Sequence, residues 1–383
     1  MISIFNVALT SQNSHKIDAV EKVLNNLFSE NDNSKYKLDA FKVTDENQVE
    51  QPVDNFGLVM ARNRIKWLLN SDSQARQKYQ LIISIENFLV KKTYEDYACV
   101  LMYDPRQDVE YIGYQWCGQT FDKELFDQLF IQYPHLQGAT KSLGDLLHQK
   151  YKVPHDNWTG SAQQCNGVGN DRSLMIKEQL VVLSKKYYQD QECLQQVKNK
   201  FRYIKDFPIP GVNFKDWNDL FLDPILIKRF TRFLAQKYDL DPPIIKPNTV
   251  NLLTKDILPH PKIDYVIGLE SRGFLIGMPL ALELRCGFIP LRKEGKISHP
   301  KVTEAYSKEY GQDILELRSD LPKGRVLIVD DVLATGGSLK AAINLAEKAG
   351  HTIVDCIIVT DVSPLRSMAE EKLEGYPVRV ILK

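Results

Sequence analysis

Residues 326–338 read Val-Leu-Ile-Val-Asp-Asp-Val-Leu-Ala-Thr-Gly-Gly-Ser, joining an apolar β-forming run to two adjacent carboxylates and a loop of small residues. The run Val326 to Val329 has the length and branching of a buried parallel strand. Leu339 to Ala349 repeats apolar residues at helical spacing until Gly350 stops it. Ala334, Thr335, Gly336, Gly337 and Ser338 therefore fall between a strand and a helix N-terminus. Two glycines tolerate positive φ there, and successive backbone N–H groups can turn inward at the positive end of the helix dipole, a place for a phosphate. A triphosphate loop of the Walker type needs a lysine just before the Ser, where Gly337 stands. Asp330 and Asp331 repel phosphate but suit a sugar diol, or a magnesium ion held through hydroxyls and pyrophosphate. A pentose 5-phosphate meets both needs. An acidic strand end or a Gly-Gly turn alone would be ordinary surface; the whole string within one strand, loop and helix is far more specific.

In an open α/β sheet, ligands bind beyond the carboxyl ends of the strands, so the loops after the other strands must complete the site. After a strand expected over Tyr265 to Leu269 comes Glu270-Ser271-Arg272-Gly273-Phe274, in which Arg272 can fork onto a diphosphate. After one over Phe288 to Pro290 come Arg292, Lys293 and Lys296, three cations able to hold a pyrophosphate leaving group. Each loop by itself reads as a solvated charged loop; their placement after successive strands reverses that reading. Upstream, Asp206 to Asp216 is a proline-set segment preceding a helix, and Ser298 to Gln312 contains Tyr306-Ser307-Lys308-Glu309-Tyr310-Gly311.

The Val326 to Ser338 string resembles the phosphoribosyl pyrophosphate signature of the type I phosphoribosyltransferases. With the other motifs, the chain from about Phe201 onward, apart from a proline-rich segment, resembles the adenine phosphoribosyltransferases. That resemblance implies a parallel sheet with flanking helices, and a reaction in which adenine attacks C1 of phosphoribosyl pyrophosphate, giving AMP and pyrophosphate with Mg2+ present. It implies Glu309, on a loop closing over the reactants, for proton transfer from the base nitrogen. Phosphoribosyl pyrophosphate and AMP fall to Asp330, Asp331, Ala334, Thr335, Gly336, Gly337, Ser338, Ser271, Arg272, Arg292, Lys293, Lys296 and Tyr310. Adenine falls to Asn213, Lys215 and Val332. The sequence departs from the family at Lys215, where arginine is common, and at Asn213, where an aliphatic residue is common; lysine cannot reproduce a planar fork. A homodimer is also implied.

The first half carries a second set of polar residues. Ser11-Gln12-Asn13-Ser14-His15-Lys16 follows a strand expected over Ile2 to Leu9 and opens a helix whose face is Ile17, Val20, Val23, Leu24, Leu27 and Phe28. Such a loop can cap the helix and meet an anion, with Lys16 reaching phosphates. With Val49-Glu50-Gln51-Pro52, Ala61-Arg62-Asn63-Arg64 and the strand-end Ile85-Glu86, this order resembles the inosine/xanthosine triphosphatases. The resemblance implies a nucleotide site at Ser11, Asn13, Lys16, Arg62 and Glu86, with Glu86 as a lone carboxylate for magnesium. Asn87 and Phe88 replace the family's glycine pair after that glutamate, and its later glycine and threonine pattern is reduced to Asn166 to Arg172. A degenerate domain kept for binding or dimerisation fits as well as a living hydrolase.

Positioning these residues takes more than one core. At 383 residues the chain is expected to form two α/β domains: a triphosphatase-like domain over 1–188, a charged, glutamine-rich connector over 189–199 that reads as an exposed helix rather than a floppy linker, and a phosphoribosyltransferase domain over 200–383. Asp239 to Lys262, with five prolines, reads as a surface excursion. Lysine plus arginine equals aspartate plus glutamate at 49 each, so no global basic field gathers nucleic acid or an acidic membrane. Met1 to Leu9 lacks the pattern of a signal peptide, no later run has the length of a membrane span, and a cytoplasmic location is expected. Six scattered cysteines read as free thiols, and neither they nor the seven histidines suggest a structural metal. The rival to a purine-salvage enzyme is a noncatalytic nucleotide-binding or structural component of a larger assembly.

Overall fold

Strand-forming and helix-forming runs alternate in both halves of the computed structural model, which describes residues 4–28, 35–43, 51–53, 56–90, 95–120, 138–139, 172–206, 214–238, 263–308, 311–362 and 365–382. The described residues fall into two compact units that divide between Tyr188 and Gln189, each with its own main sheet. The first unit runs β1 (Ile4–Leu9), α1 (Ser14–Leu27), β2 (Lys35–Ala40), β3 (Gln51–Pro52), α2 (Phe56–Ser71), α3 (Ala75–Lys78), β4 (Leu81–Val90), β5 (Glu95–Asp104), β6 (Val109–Thr120) and β7 (Gly138–Ala139). Its sheet has the order β2-β1-β4-β5-β6. β1 is parallel to β2 and β4, whereas β4-β5 and β5-β6 are antiparallel.

In the first half, the alternation of side chains along β4 and β5 gives α2 an apolar floor. Leu58, Ala61, Ile65 and Leu68 of the helix meet Ile82, Phe88, Val90, Tyr97, Cys99 and Leu101. Gly57 is required by this packing, because a Cβ there would stand 2.7 Å from the Phe88 ring. Phe88 therefore fills the core beneath α2. Cys99, Cys117, Cys193, Cys286 and Cys356 are free thiols.

A long helix, α4 (Arg172–Asn199), carries the chain across the division. Residues 189–199, expected as a separate connector, are its last turns. They are held rather than loose: Cys193, Leu194 and Val197 are buried, and Arg229 donates to Gln196 Oε1 at 3.1 Å and to the Gln189 carbonyl at 3.2 Å. The polar composition marks the solvated face of this helix, in keeping with the helical reading of the stretch.

The second unit continues with β8 (Arg202–Ile204), β9 (Phe214–Asp216), a 3-10 turn Asn218–Leu222, α5 (Pro224–Ala235), β10 (Tyr265–Leu269), α6 (Arg272–Glu283), β11 (Gly287–Lys293), β12 (Lys301–Lys308), β13 (Gly311–Arg318), β14 (Arg325–Leu333), α7 (Gly337–Lys348), β15 (Thr352–Asp361), α8 (Arg366–Lys372) and β16 (Val378–Leu382). The sheet order is β12-β13-β11-β10-β14-β15-β16. Its middle is parallel, and β12 and β13 form an antiparallel pair at one edge. β10 and β14 are adjacent although widely separated in sequence, so the loops that follow them open side by side. The proline-rich segment 239–262 lies outside the described residues.

Apolar faces of β10, β11 and β14, including Ile267, Ile289 and Ile328, pack against Leu339, Ala342, Ile343 and Ala346 of α7. α5 starts cleanly because Asp223 accepts from the Leu226 N–H at 3.0 Å and Pro224 takes the first helical position. Beyond its end, Tyr238 Oη donates to Asp355 Oδ2 at 2.5 Å, and Lys237 Nζ lies 3.1 Å from the same oxygen. Asp355 Oδ1 accepts from the Cys356 N–H at 2.9 Å. Burial pushes the Tyr238 hydroxyl well above its ordinary range, so it stays a neutral donor to the carboxylate. Asp355→Ala would remove the acceptor of the buried Tyr238 hydroxyl and the counter-charge of the buried Arg379 guanidinium, 3.8 Å away, and is expected to lower the unfolding free energy by about 2–4 kcal/mol, measured by urea denaturation; a loss below about 1 kcal/mol would contradict that expectation.

Candidate functional site

β14 extends past its apolar run to Leu333 because backbone pairing with β15 continues, with Asp330 opposite Ile358 and Val332 opposite Thr360. The acidic pair therefore stands inside the sheet, where backbone pairing fixes it, and the loop begins only at Ala334. Of the two glycines, Gly336 alone takes the left-handed conformation, at φ 79°, and caps α7; Gly337 is already the first residue of that helix. The Lys340 N–H donates to the Gly336 carbonyl at 2.9 Å, leaving the N–H groups of the first turn to face the loop.

Asp331 is buried, and its Oδ2 lies 2.6 Å from Arg272 Nε and accepts from Trp217 Nε1 at 3.3 Å. One carboxylate thus joins β14, the start of α6 and the segment after β9. Asp330 is less covered, and its Oδ1 accepts from the Asp331 N–H at 2.9 Å. Burial, then the charge of Asp331, pushes the Asp330 carboxyl well above its ordinary value. The close approach of α6 needs Gly273, since a Cβ there would stand 2.6 Å from the Val329 carbonyl oxygen. Ionising both acids beside one guanidinium leaves negative charge that a divalent cation, or the donors of a sugar diol, would offset. The acidic pair therefore fits magnesium.

The cationic loops converge on a residue that the sequence reading quoted without assigning. Glu270, directly after β10, accepts from Arg292 Nε at 3.2 Å and from the Lys293 N–H at 2.9 Å, both at Oε2, while Lys296 Nζ pairs with Oε1. Burial opposes ionisation, but the hydrogen bonds from Lys296, the Lys293 N–H and Arg292 outweigh it and hold the carboxyl at about 2. The signal was a carboxylate at a strand end beside the Ser-Arg-Gly turn, its partners visible only when β10 and β11 pair. Lys293 Nζ itself lies 3.5 Å from Asp313 Oδ2. Ser271 is exposed at the start of α6.

Two further carboxylates that the sequence reading did not single out anchor the edge hairpin. Glu316 of β13, 2% exposed, accepts from the Gly295 N–H at 3.0 Å and the Ile297 N–H at 3.2 Å, and pairs with Lys301 at 2.7 Å. Glu304 of β12 accepts from Asn344 of α7 at 2.8 Å and pairs with Lys348. The hairpin pairs as far as Lys308 opposite Gly311; Glu309 and Tyr310, between them, lie outside the described residues, as does Asn213. Lys215 is on β9, and its Nζ donates to Thr360 Oγ1 and the Asp361 carbonyl, each at 3.1 Å. Thr360 pairs with Val332, so Lys215 ends beside Val332 but spends its charge on the end of β15.

In the first unit, Ser11 Oγ accepts from the Asn13 N–H at 3.2 Å, and Asn13 caps α1 through the His15 and Lys16 N–H groups at 3.1 and 3.2 Å. Lys16 Nζ donates to the Ile85 carbonyl. Arg62 forks onto Glu110, with Nη2 to Oε2 at 2.6 Å, and Glu86 pairs with Arg64. The structure brings Lys16 to Ile85, next to Glu86, but in the middle of β4, which continues to Val90 through pairing with β5 instead of ending at Glu86 as expected, and it gives Lys16, Arg62 and Glu86 protein partners. Phe88, which with Asn87 stands in place of the glycine pair, has its ring in the core beneath α2.

A phosphoribosyl transferase domain model matches residues 249–380. An adenine phosphoribosyltransferase of Christiangramia forsetii is 42% identical over 190 residues, 49% of this chain and 98% of that protein. Adenine phosphoribosyltransferase 2 of Arabidopsis thaliana is 35% identical over 192 residues, 50% of this chain and 88% of its own length. Among solved structures, adenine phosphoribosyltransferase from Saccharomyces cerevisiae, complexed with an imino-altritol bisphosphate and adenine, is 33% identical with a TM-score of 0.42, covering 50% of this chain and 99% of that one.

The depressed value of Glu270 fixes a pH dependence. Its contribution to folding is fully present above its ordinary value of 4.5 and is lost as pH falls from there through about 2. In urea denaturation, the stability gap between the wild type and Glu270→Gln is expected to be constant above pH 5 and to shrink on acidification; a gap unchanged down to pH 3 would contradict the pairing.

Proposed function

The chain belongs, through its C-terminal half, to the adenine phosphoribosyltransferase family, enzymes of purine salvage that transfer a phosphoribosyl group to adenine, and from that premise we propose which of its residues carry the reaction. The observation that supports the assignment is the convergence of the β10, β11 and β14 strand ends. They set an acidic pair, a phosphate-sized loop and a cluster of cations side by side. In this reading the backbone of Ala334 to Ser338 binds the 5-phosphate at the start of α7. Asp330 takes the ribose hydroxyls, with Asp331 holding Arg272 toward the diphosphate. Ser271, Arg292, Lys293, Lys296 and Tyr310 complete the diphosphate and phosphoribosyl contacts.

The bond from C1 to the diphosphate oxygen breaks as the one from the adenine nitrogen to C1 forms. Positive charge develops on the sugar and negative charge on the departing pyrophosphate. Fixed cations stabilise the pyrophosphate, and the acidic pair tolerates the sugar charge. Mg2+, when bound through the substrate beside Asp330 and Asp331, supplies further neutralisation of the pyrophosphate. Glu309 receives the proton from the base nitrogen, and the strand pair that carries it is anchored through Glu304 and Glu316. Val332, Asn213 and Lys215 bound the base, Lys215 acting by tying β9 to the end of β15. The working enzyme in this reading is a cytoplasmic homodimer. Glu309→Gln is expected to reduce adenine turnover at least a hundredfold while phosphoribosyl pyrophosphate still binds. AMP formation that survives the substitution, or a preference for hypoxanthine or guanine over adenine, would overturn the assignment.

For the first half we propose a triphosphatase-like domain retained without hydrolysis, serving in binding or assembly, since fold does not fix function. The support is that Lys16, Arg62 and Glu86 are held by Ile85, Glu110 and Arg64. Full-length protein given inosine or xanthosine triphosphate with magnesium, and no phosphoribosyl pyrophosphate, is expected to release no pyrophosphate. Release that is lost in Glu86→Gln would establish a hydrolase instead.

A further inference from the structure

We propose that Glu270 is an internal counter-anion for the diphosphate cations, keeping them convergent and giving them up to the phosphate oxygens when the substrate's diphosphate enters. The inference rests on the assignment of Arg292, Lys293 and Lys296 to that diphosphate. Glu270 engages all three residues, through the Arg292 guanidinium, the Lys293 backbone N–H and the Lys296 ammonium. Its side chain is 13% exposed, against 34% for Arg292 and 43% for Lys296. The carboxylate thus lies beneath and the cations reach outward, toward where a ligand approaches.

Without a negative charge at their centre, Arg292 and Lys296 would repel each other and spread. A carboxylate offers one charge and two oxygens, whereas a diphosphate offers more charge and more acceptors, so it competes well for the same donors. The exchange can leave the backbone in place, because the flanking Gly295 and Ile297 N–H groups are held separately by Glu316. Once displaced, Glu270 remains next to the new anion and repels it. It therefore weakens retention of pyrophosphate and favours release of that product.

The test is the inhibition constant of pyrophosphate against phosphoribosyl pyrophosphate on the full-length protein. Glu270→Gln is expected to bind pyrophosphate about three- to tenfold more tightly, and Glu270→Asp, whose shorter arm cannot reach Arg292 and Lys296 together, is expected to move the same way by less. Lys296→Met should weaken binding, and in its background the gain from Glu270→Gln should shrink, since the two residues act on each other. Weaker or unchanged pyrophosphate binding in folded Glu270→Gln and Glu270→Asp, with Lys296→Met still weakening it, would overturn the counter-anion role and leave the diphosphate assignment standing. Unchanged binding in both Lys296→Met and Arg292→Met would instead sink that assignment, and this inference with it. Circular dichroism identifies folded variants, and the Asp variant carries the test if the Gln variant does not fold.

Discussion

Two carboxylates side by side in a buried strand repel each other, and the second unit is organised around the relief of that repulsion. Asp331 is paid for by Arg272 and Trp217, which come from the start of α6 and the segment after β9. Those contacts draw separate stretches of chain onto one strand. Asp330 has no comparable guanidinium at hydrogen-bond distance among the described contacts and is pushed toward its neutral form by burial and by its neighbour. The asymmetry separates the pair into an acid that holds the architecture and an acid suited to a ligand. Gly273 makes it workable by letting α6 come close to the β14 backbone.

A similar economy governs the cations around Glu270. Like charges gathered for a diphosphate need an anion to stay together, and the protein supplies one from the neighbouring strand end. Glu316 then fixes the backbone on both sides of Lys296 and belongs to the hairpin that leads toward residues 309 and 310. The loop carrying the diphosphate cations and the strand pair carrying the proton acceptor of the proposed reaction are therefore tied through one buried carboxylate. Carboxylates outside the assigned set, Glu270, Glu304 and Glu316, do much of the positioning.

The first half shows the opposite disposition of charge. Its candidate residues resemble a nucleotide site in sequence order, but Arg62 and Glu86 satisfy Glu110 and Arg64, and Lys16 satisfies the Ile85 carbonyl within β4. Phe88 follows Glu86 by two residues, and the alternation along β4 puts both on one face, where the Phe88 ring fills the core beneath α2.

The sequence by itself determined the α/β pattern, the central strands β10, β11, β14 and β15 of the second sheet and the family of the second half, because strand periodicity, helix stops and a small-residue glycine loop are local signals read within a dozen residues. It put Ser271, Arg272 and Lys296 in loops after strands, but it placed Arg292 and Lys293 there too, whereas β11 runs on to Lys293 because pairing with β13 continues through these charged residues. It did not determine how far β14 runs, since pairing with β15 continues through residues that are not apolar. It read residues 189–199 as a helical connector, but not as the end of one helix begun at Arg172, because the charged, glutamine-rich composition starts only near Tyr188. Partners were decided only in three dimensions. Glu270 meets Arg292 and Lys296 across two strands, Asp331 meets Trp217 over more than a hundred residues, and Lys215 reaches Thr360 and Asp361. A charge finds its counter-charge through sheet order, and sheet order is set by the packing of the whole unit.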